Sequence, residues 1–169
     1  LGALATLAGC GGGSTQLVFG TGPGGPVWFR SLDVGSLRLA QRFFEHDPPR
    51  AVELAELRKH VEVMFAGLAP PLPRAAVATG GTARGLRRLV GRTLGPKQLA
   101  KAETILRKYP AAAVAEKYRV PLWRGQTMLA GVTVLAEAQQ RLSAPLVVAR
   151  AGLREGAALQ LAAAAEAAA

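Results

Sequence analysis

Two rhythms of apolar and polar positions divide the chain. Up to about position 34, apolar residues come in short runs separated by glycine-rich breaks, the pattern of strands and turns. Leu1 to Ala8 and Gln16 to Gly20 read as two strands flanking Gly11-Gly12-Gly13-Ser14-Thr15. Thr21-Gly22-Pro23-Gly24-Gly25-Pro26 is a second turn, and Val27 to Val34 a third strand. Strand, turn, strand, turn, strand predicts an antiparallel meander.

A helical spacing then takes over. Gly35-Ser36 opens a short helix, Leu37 to Phe44, with Arg38 and Arg42 on one face. Asp47-Pro48-Pro49 predicts a helix start with Asp47 as N-cap and Pro48 at the first helical position. Leu54, Leu57, Val61, Phe65 and Leu68 then fall on one stripe, and Pro70-Pro71-Leu72-Pro73 ends it. Ala75 to Thr79 is a short strand that runs through Gly80-Gly81-Thr82 into a helix from Ala83 to about Thr93. After Gly95-Pro96 come helices at Lys97–Lys108, Pro110–Tyr118 and Arg124–Leu142, the last with Met128, Val132, Leu135 and Leu142 along one side. Pro145 to Ala149 is a final buried strand. Gly152-Leu153-Arg154-Glu155-Gly156 leads into an Ala-rich helix whose end, 162–169, has no packing pattern and is expected to fray. The sum is an α/β lobe: a mixed sheet of a three-stranded meander plus two strands, with flanking helices.

Two stretches carry candidate chemistry. Three successive glycines leave the backbone free to take φ > 0, so that the N–H groups of Gly11, Gly12 and Gly13 can converge on an anion. The hydroxyls of Ser14 and Thr15 can add donors, and phosphate is the natural occupant. The same residues also make a plain hairpin turn. Gly80, Gly81 and Thr82, between a strand and a helix, form a second phosphate device, because a helix N-terminus has free N–H groups and a partial positive charge. Arg84, Arg87, Arg88 and Arg92 follow at helical spacings, as a solvated basic face or as one that steers a polyanion.

Composition narrows the partners. The 21 Lys and Arg outnumber the 11 Asp and Glu, for a net charge of +10, which favours polyanions. The few aromatic residues do not alternate with basic ones, so neither a base-stacking platform nor a specific nucleic-acid partner is indicated. Two His and one Cys, far apart, make no zinc site. No apolar run approaches the roughly 20 residues that cross a bilayer. With one cysteine no internal disulfide forms, which suits a reducing, cytoplasmic compartment. A competing reading takes Leu7-Ala8-Gly9-Cys10 as a lipoprotein processing site with Cys10 lipidated. Against it, no Lys or Arg precedes the run, and an apolar strand rather than a polar tether follows. As a thiol, Cys10 is expected to be buried beside the turn.

Five pieces, in this order, carry a resemblance: Gly11-Gly12-Gly13-Ser14-Thr15, Gly35-Ser36-Leu37-Arg38-Leu39, Gly80-Gly81-Thr82-Ala83, Ala130-Gly131, and Gly152-Leu153-Arg154-Glu155-Gly156. Together they resemble the exopolyphosphatase and guanosine-pentaphosphate phosphohydrolase family, from Leu1 to about Leu161. The resemblance implies an actin-like, ribonuclease-H-like lobe, with 1–161 as the second of two lobes and the first absent from this chain. It implies hydrolysis of terminal phosphoanhydride bonds of inorganic polyphosphate or of a hyperphosphorylated guanine nucleotide, with a divalent metal, magnesium the first candidate, in the complete parent. It leaves a homodimer open. The catalytic Glu belongs to the first lobe, so no catalytic residue and no metal ligand is expected here, and the isolated chain is expected to be inactive. The sequence also departs from the family. Where Asp is usual before the glycine run stands Gly9, and where Glu is usual after Ser-Thr stands Gln16. Gln126 and Arg150 replace two further acidic residues. An amide is a poorer ligand than a carboxylate for a hard cation. The alternative is therefore a non-catalytic polyphosphate-binding or regulatory homologue that has lost its metal-binding carboxylates.

Overall fold

A computed structural model of the chain describes residues 4–8, 10–21 and 25–167. Gly9 and the Gly22-Pro23-Gly24 part of the second turn lie outside the described residues. Strands β1 (Leu4–Ala8), β2 (Thr15–Thr21) and β3 (Gly25–Leu32) form the expected antiparallel meander. The β2–β3 register shifts between Phe19 and Gly20, where a Cβ on Gly20 would run into the Gly25 carbonyl. Helices α1 (Ser36–Phe43) and α2 (Ala51–Phe65) follow, then β4 (Ala75–Ala78), α3 (Gly80–Val90), β5 (Thr93–Leu94), α4 (Pro96–Lys108), α5 (Ala111–Tyr118), α6 (Leu122–Leu142), β6 (Leu146–Val148) and α7 (Leu153–Ala167). The strands make one six-stranded sheet in the order β3-β2-β1-β4-β6-β5. β4 pairs parallel with both β1 and β6, and β5 runs antiparallel to β6.

The central parallel strands β4 and β6 bury one face, with Val77 and Val147 between the buried positions only half-buried. Ala76, Ala78, Leu146 and Val148 are fully buried. α6 is the hub of the helical layer and touches α1 through α5. Met128, Val132, Leu135 and Leu142 are buried, as the periodicity predicted. Leu54, Leu57, Val61 and Phe65 of α2 are buried too, and Leu68, just past the helix, packs on the same core. α7 is helical through Ala167, and its Leu159 and Leu161 are exposed. Among the described residues, no helix is long and apolar enough to cross a membrane.

Three local expectations are corrected. Asp47 does not cap α2. Its carboxylate accepts the Ala111 N–H at 2.8 and 3.1 Å and so caps α5, 64 residues away. The start of α2 is instead tied by Glu53, whose oxygens accept the N–H groups of Arg50 at 2.6 Å and Glu45 at 2.8 Å. Second, α3 begins at Gly80 rather than Ala83. Gly80, at φ +93°, turns the chain out of β4, so Gly81 and Thr82 belong to the first helical turn rather than to a loop before it. Third, α3 ends at Val90 because Gly91 takes φ +97°. Arg92 therefore lies beyond the helix, and Thr93–Leu94 pairs with β6 as a sixth strand. A two-residue strand is too short for any periodicity to announce.

Glu53 makes the fold pH-sensitive. His46 Nδ1 lies 2.8 Å from Glu53 Oε1. That bond, opposed by desolvation and helped by the two backbone donors, lowers the Glu53 pKa from 4.5 to about 2. A carboxyl depressed in the folded state stabilises it above the unfolded pKa, and the contribution is lost as pH falls. Melting temperature is expected to drop between about pH 4.5 and pH 2, and Glu53→Gln to flatten that limb while lowering the neutral-pH value. A melting series of both proteins across that range checks it; parallel limbs would count against Glu53.

Candidate functional site

Because β1, β4 and β6 are parallel and adjacent, the segments that leave their carboxyl ends gather at one edge of the sheet. These are the Gly11–Thr15 turn, the first turn of α3 and the segment leading to α7. In open α/β sheets this edge is where ligands bind. The two stretches read as phosphate devices are thus neighbours, although 65 or more residues separate them in sequence.

The glycine turn is held by α1. Gly11 N–H donates to the Ser14 carbonyl at 3.2 Å and closes the turn. The Gly11 carbonyl accepts from Ser36 N–H at 2.9 Å and from Ser36 Oγ at 3.3 Å, and the Gly12 carbonyl accepts from Arg38 N–H at 2.9 Å. α1 thereby satisfies part of its own free N-terminus with the turn's carbonyls. The turn's shape differs from the expected one: Gly11, Gly12 and Gly13 are not among the left-handed glycines, so no alternating left-handed nest forms. Gly12 and Gly13 are exposed, and their N–H groups meet no acceptor among the described residues. Thr15 is buried, its hydroxyl donating to the Val34 carbonyl at 2.7 Å. Ser14 Oγ accepts from Gln16 Nε2 at 2.8 Å, and the same amide reaches Ser31 Oγ at 3.3 Å. A Cβ on Gly13 would sit 3.9 Å from Arg38 Nη2, so that guanidinium flanks the turn; its Nη1 is 3.6 Å from Asp33.

Cys10 packs the turn against α3 and is fully buried, as expected. Burial pushes its thiol pKa up, against the pull of Thr82, Thr15, Arg124 and the Ser36 N–H around it. A lipid chain on this sulfur has no room in the fold. The Thr82 hydroxyl is buried beside it, with the Cys10 thiol as its polar neighbour.

The residue that the sequence reading missed is Arg124. It stands in the first turn of α6 and lies directly over Gly81, where any Cβ would overlap its guanidinium. Its guanidinium carbon is 4.1 Å from the centre of the Trp123 ring, and no carboxylate pairs with it among the described residues. Burial, and then Arg84 nearby, lower its pKa, while Cys10 opposes them. A signal was present: a cation in the first turn of a helix opposes the macrodipole and calls for another reason to be there. Of the predicted basic face, Arg84 adjoins Arg124. Arg87 and Arg88 are in the last turn of α3, roughly 5 Å further along the helix axis at 1.5 Å per residue, and Arg88 donates to the Arg119 carbonyl at 3.0 Å.

What gathers here is anion chemistry: exposed backbone N–H groups, a helix N-terminus, and Arg38 and Arg124 on either side. The residues do not fit a divalent cation. Gln16 presents an amide already engaged by two serines, Gln126 and Arg150 are not acidic, and Asp33 is paired with Arg38. One group of metal-type donors among the described residues, Glu45, His46 and Glu53, lies within 4.8 Å. There the Glu53 oxygens already accept the N–H groups that start α2, so the group is a helix-start device.

Comparison with known proteins agrees with this geometry. No curated protein matches the chain. A solved structure of the Ppx/GppA family member from Aquifex aeolicus is 27% identical, with a TM-score of 0.85, over 95% of this chain and 56% of that one. A second Aquifex aeolicus structure, of a PPX-GPPA enzyme, is 26% identical with a TM-score of 0.84 over 94% and 57%. An exopolyphosphatase from Cytophaga hutchinsonii, 16% identical with a TM-score of 0.78 over 94% and 56%, shares the fold. The architecture is the actin-like ATPase fold that the motifs implied, and the chain spans a little over half the length of these structures. The model of the Ppx/GppA phosphatase family matches residues 7–164, and the chain belongs to that family.

Proposed function

We propose that this chain is the phosphate-binding second lobe of a phosphohydrolase that cleaves terminal phosphoanhydride bonds of inorganic polyphosphate or guanosine pentaphosphate. Phosphoryl transfer is catalysed largely by fixed donors and cations on the charged oxygens. The Gly12 and Gly13 N–H groups, the α3 N-terminus at Gly80, Gly81 and Thr82, and Arg124 provide them, and Arg84, Arg87, Arg88 and Arg92 extend the positive field along the polyanion. The observation that carries the reading is Arg124, a half-buried guanidinium with no carboxylate partner among the described residues, laid across Gly81. The catalytic Glu and the metal, magnesium by preference, come with the first lobe in the cytoplasmic parent, and the isolated chain releases no phosphate. A second reading, a non-catalytic polyphosphate binder, draws on Gln16 and on the missing carboxylates at the turn.

The test is a calorimetric titration of the chain with long-chain polyphosphate. Gly12→Val places a branched side chain where the anion approaches, and its Cβ meets only Leu37, at 3.4 Å, a half-exposed side chain that can yield. Affinity is expected to fall at least about ten-fold, the loss of roughly one charge-assisted contact, with the melting temperature nearly unchanged. Equal affinity in a folded variant would leave the stretch as a turn and nothing more. Release of phosphate by the isolated chain would overturn the assignment of the catalytic group to the other lobe.

A further inference from the structure

Two features of the surface take no part in the anion site, and their chemistries match each other. The first is a cavity of about 340 Å³ beside that site. Its walls come from α1, the segment before α2, the end of α4, and the starts of α5 and α6. Three aromatic rings, Phe44, Tyr109 and Trp123, line it together with Pro49. In a protein of net charge +10, no Lys or Arg lines the cavity, whereas Glu45 and Asp47 do. Both are exposed, and neither carboxylate is in an ion pair among the described residues. The nearby cations stand over two of the rings, Arg124 over Trp123 and Lys108 and Lys117 over Tyr109. The wall thus has an aromatic part and a separate acidic part.

The second feature is Pro70-Pro71-Leu72-Pro73-Arg74, between α2 and β4, the chain's only run with three prolines in four residues. Proline fixes its own φ near −65° and pushes the residue before it to extended backbone. Ala69, Pro70 and Leu72 each precede a proline, so the stretch is held in polyproline II, at three residues per turn. Burial follows that period. Pro70 and Pro73, three apart, are half-buried against the protein. Pro71 and Arg74, also three apart, are exposed, and Leu72 between them is 69% exposed. Arg74 pairs with no carboxylate among the described residues. Pro71, Leu72 and Arg74 therefore form an outward ridge, apolar along most of its length and cationic at its end.

Aromatic-lined grooves are where such preformed ridges dock, because a segment already in polyproline II loses little entropy on binding. Here the apolar part of the ridge suits the rings, and the guanidinium suits the carboxylates. A chain cannot fill its own cavity. Segment 69–74 leads into the amino end of β4. The cavity adjoins the opposite edge of the sheet: Leu37 borders Gly12, and Trp123 precedes Arg124, which covers Gly81. Leu68 packs on the core and Ala75 starts β4, so the six residues between them are tied at both ends.

We propose that the cavity docks the 70–74 segment of a second copy of this chain, with Pro71 and Leu72 against Phe44, Tyr109 and Trp123 and with Arg74 on Glu45 and Asp47. The contact joins two different surfaces, so it builds rings or open rows rather than a two-fold dimer. A single loop in a single cavity buries little area, so the association is weak and depends on concentration. It needs nothing from the anion site.

Two measurements test this. Sedimentation of the chain over a range of concentrations should show a mass that rises with concentration. A labelled peptide, Ala-Pro-Pro-Leu-Pro-Arg, should bind the chain and compete with that association. Leu72→Ala should weaken the association about ten-fold, the loss of one buried leucine side chain. Arg74→Glu and Glu45→Lys, both at exposed positions, should each abolish it while melting with the parent. Mixing those two variants should restore it, because each then meets an opposite charge on the other. Tyr109→Ala, which removes part of the aromatic wall, should weaken peptide binding. A chain that stays monomeric and does not bind the peptide would overturn the proposal. Peptide binding by a chain that stays monomeric would overturn the second copy as occupant and leave the cavity to a proline-rich segment of another protein. Association that survives both Leu72→Ala and Arg74→Glu would place the contact elsewhere and overturn it too.

Discussion

Gly35→Ala is expected to cost about 2–3 kcal/mol of stability, the range of an overpacked core, and to abolish most polyphosphate affinity. Gly35 is at the N-cap of α1, with φ −99°, a conformation open to any residue. The demand on it is for space alone. A Cβ there would overlap the Gly12 carbonyl and the Gly13 backbone, rigid groups that cannot swing aside as a side-chain tip can. Two things would have to move: the turn, and the hydrogen bonds by which Ser36 and Arg38 N–H hold the Gly11 and Gly12 carbonyls. The effect should be specific to this glycine. Gly13→Ala brings its Cβ no closer than 3.9 Å, to the end of Arg38, so it should melt with the parent. Thermal melts and polyphosphate titrations of both variants decide this. A Gly35→Ala protein that melts and binds like the parent would show that the turn does not need this close approach.

The fold was largely legible because its parts follow local rules. Glycine and proline punctuated the meander, and the three-to-four-residue spacing of Leu54 to Phe65 and of Met128 to Leu142 marked the buried faces. What failed were choices that only tertiary contact settles. Asp47-Pro48 has the local form of a helix start, but the Asp47 carboxylate found its donor at Ala111, in a helix that the sequence could not place beside it. Glu53 could start α2 because its oxygens reach Arg50 and Glu45 together, a geometry with no one-dimensional trace. Thr93 and Leu94 became a strand because β6 offered them an edge. The candidate site divided in the same way. Gly12, Gly13, Gly80 and Gly81 were visible as glycine clusters, and the parallel pairing of β1 with β4 explains why they meet. Thr15 was legible as a residue but not as an inward-facing hydroxyl. Arg124 carried no motif, and the cavity beside it draws its walls from five separate segments.

Arg124→Gln should remove most of the affinity for polyphosphate while leaving stability level or slightly higher. The two halves of that outcome follow from one feature. Arg124 is half-buried, has no carboxylate partner among the described residues, and has Arg84 close enough to lower its pKa. Removing water from a charge without pairing it opposes folding, and so does a cation in the first turn of a helix. A neutral amide of similar length relieves both and can still pack on Trp123. Bound phosphate reverses the balance, because a guanidinium fixed in a partly dehydrated site is a strong partner for phosphate oxygens. Affinity should therefore fall by about ten- to a hundred-fold, and Arg124→Lys should restore only part of it, since an ammonium keeps the charge but loses the planar fork. The salt dependence should change too. Each phosphate contact contributes roughly −0.7 to the log–log slope for a flexible single-stranded polyanion, so the glutamine variant should lose about one such increment. Titrations at two salt concentrations and a melting curve for each protein measure all of this. Unchanged affinity with lowered stability would assign Arg124 to packing on Trp123 and remove it from the anion site.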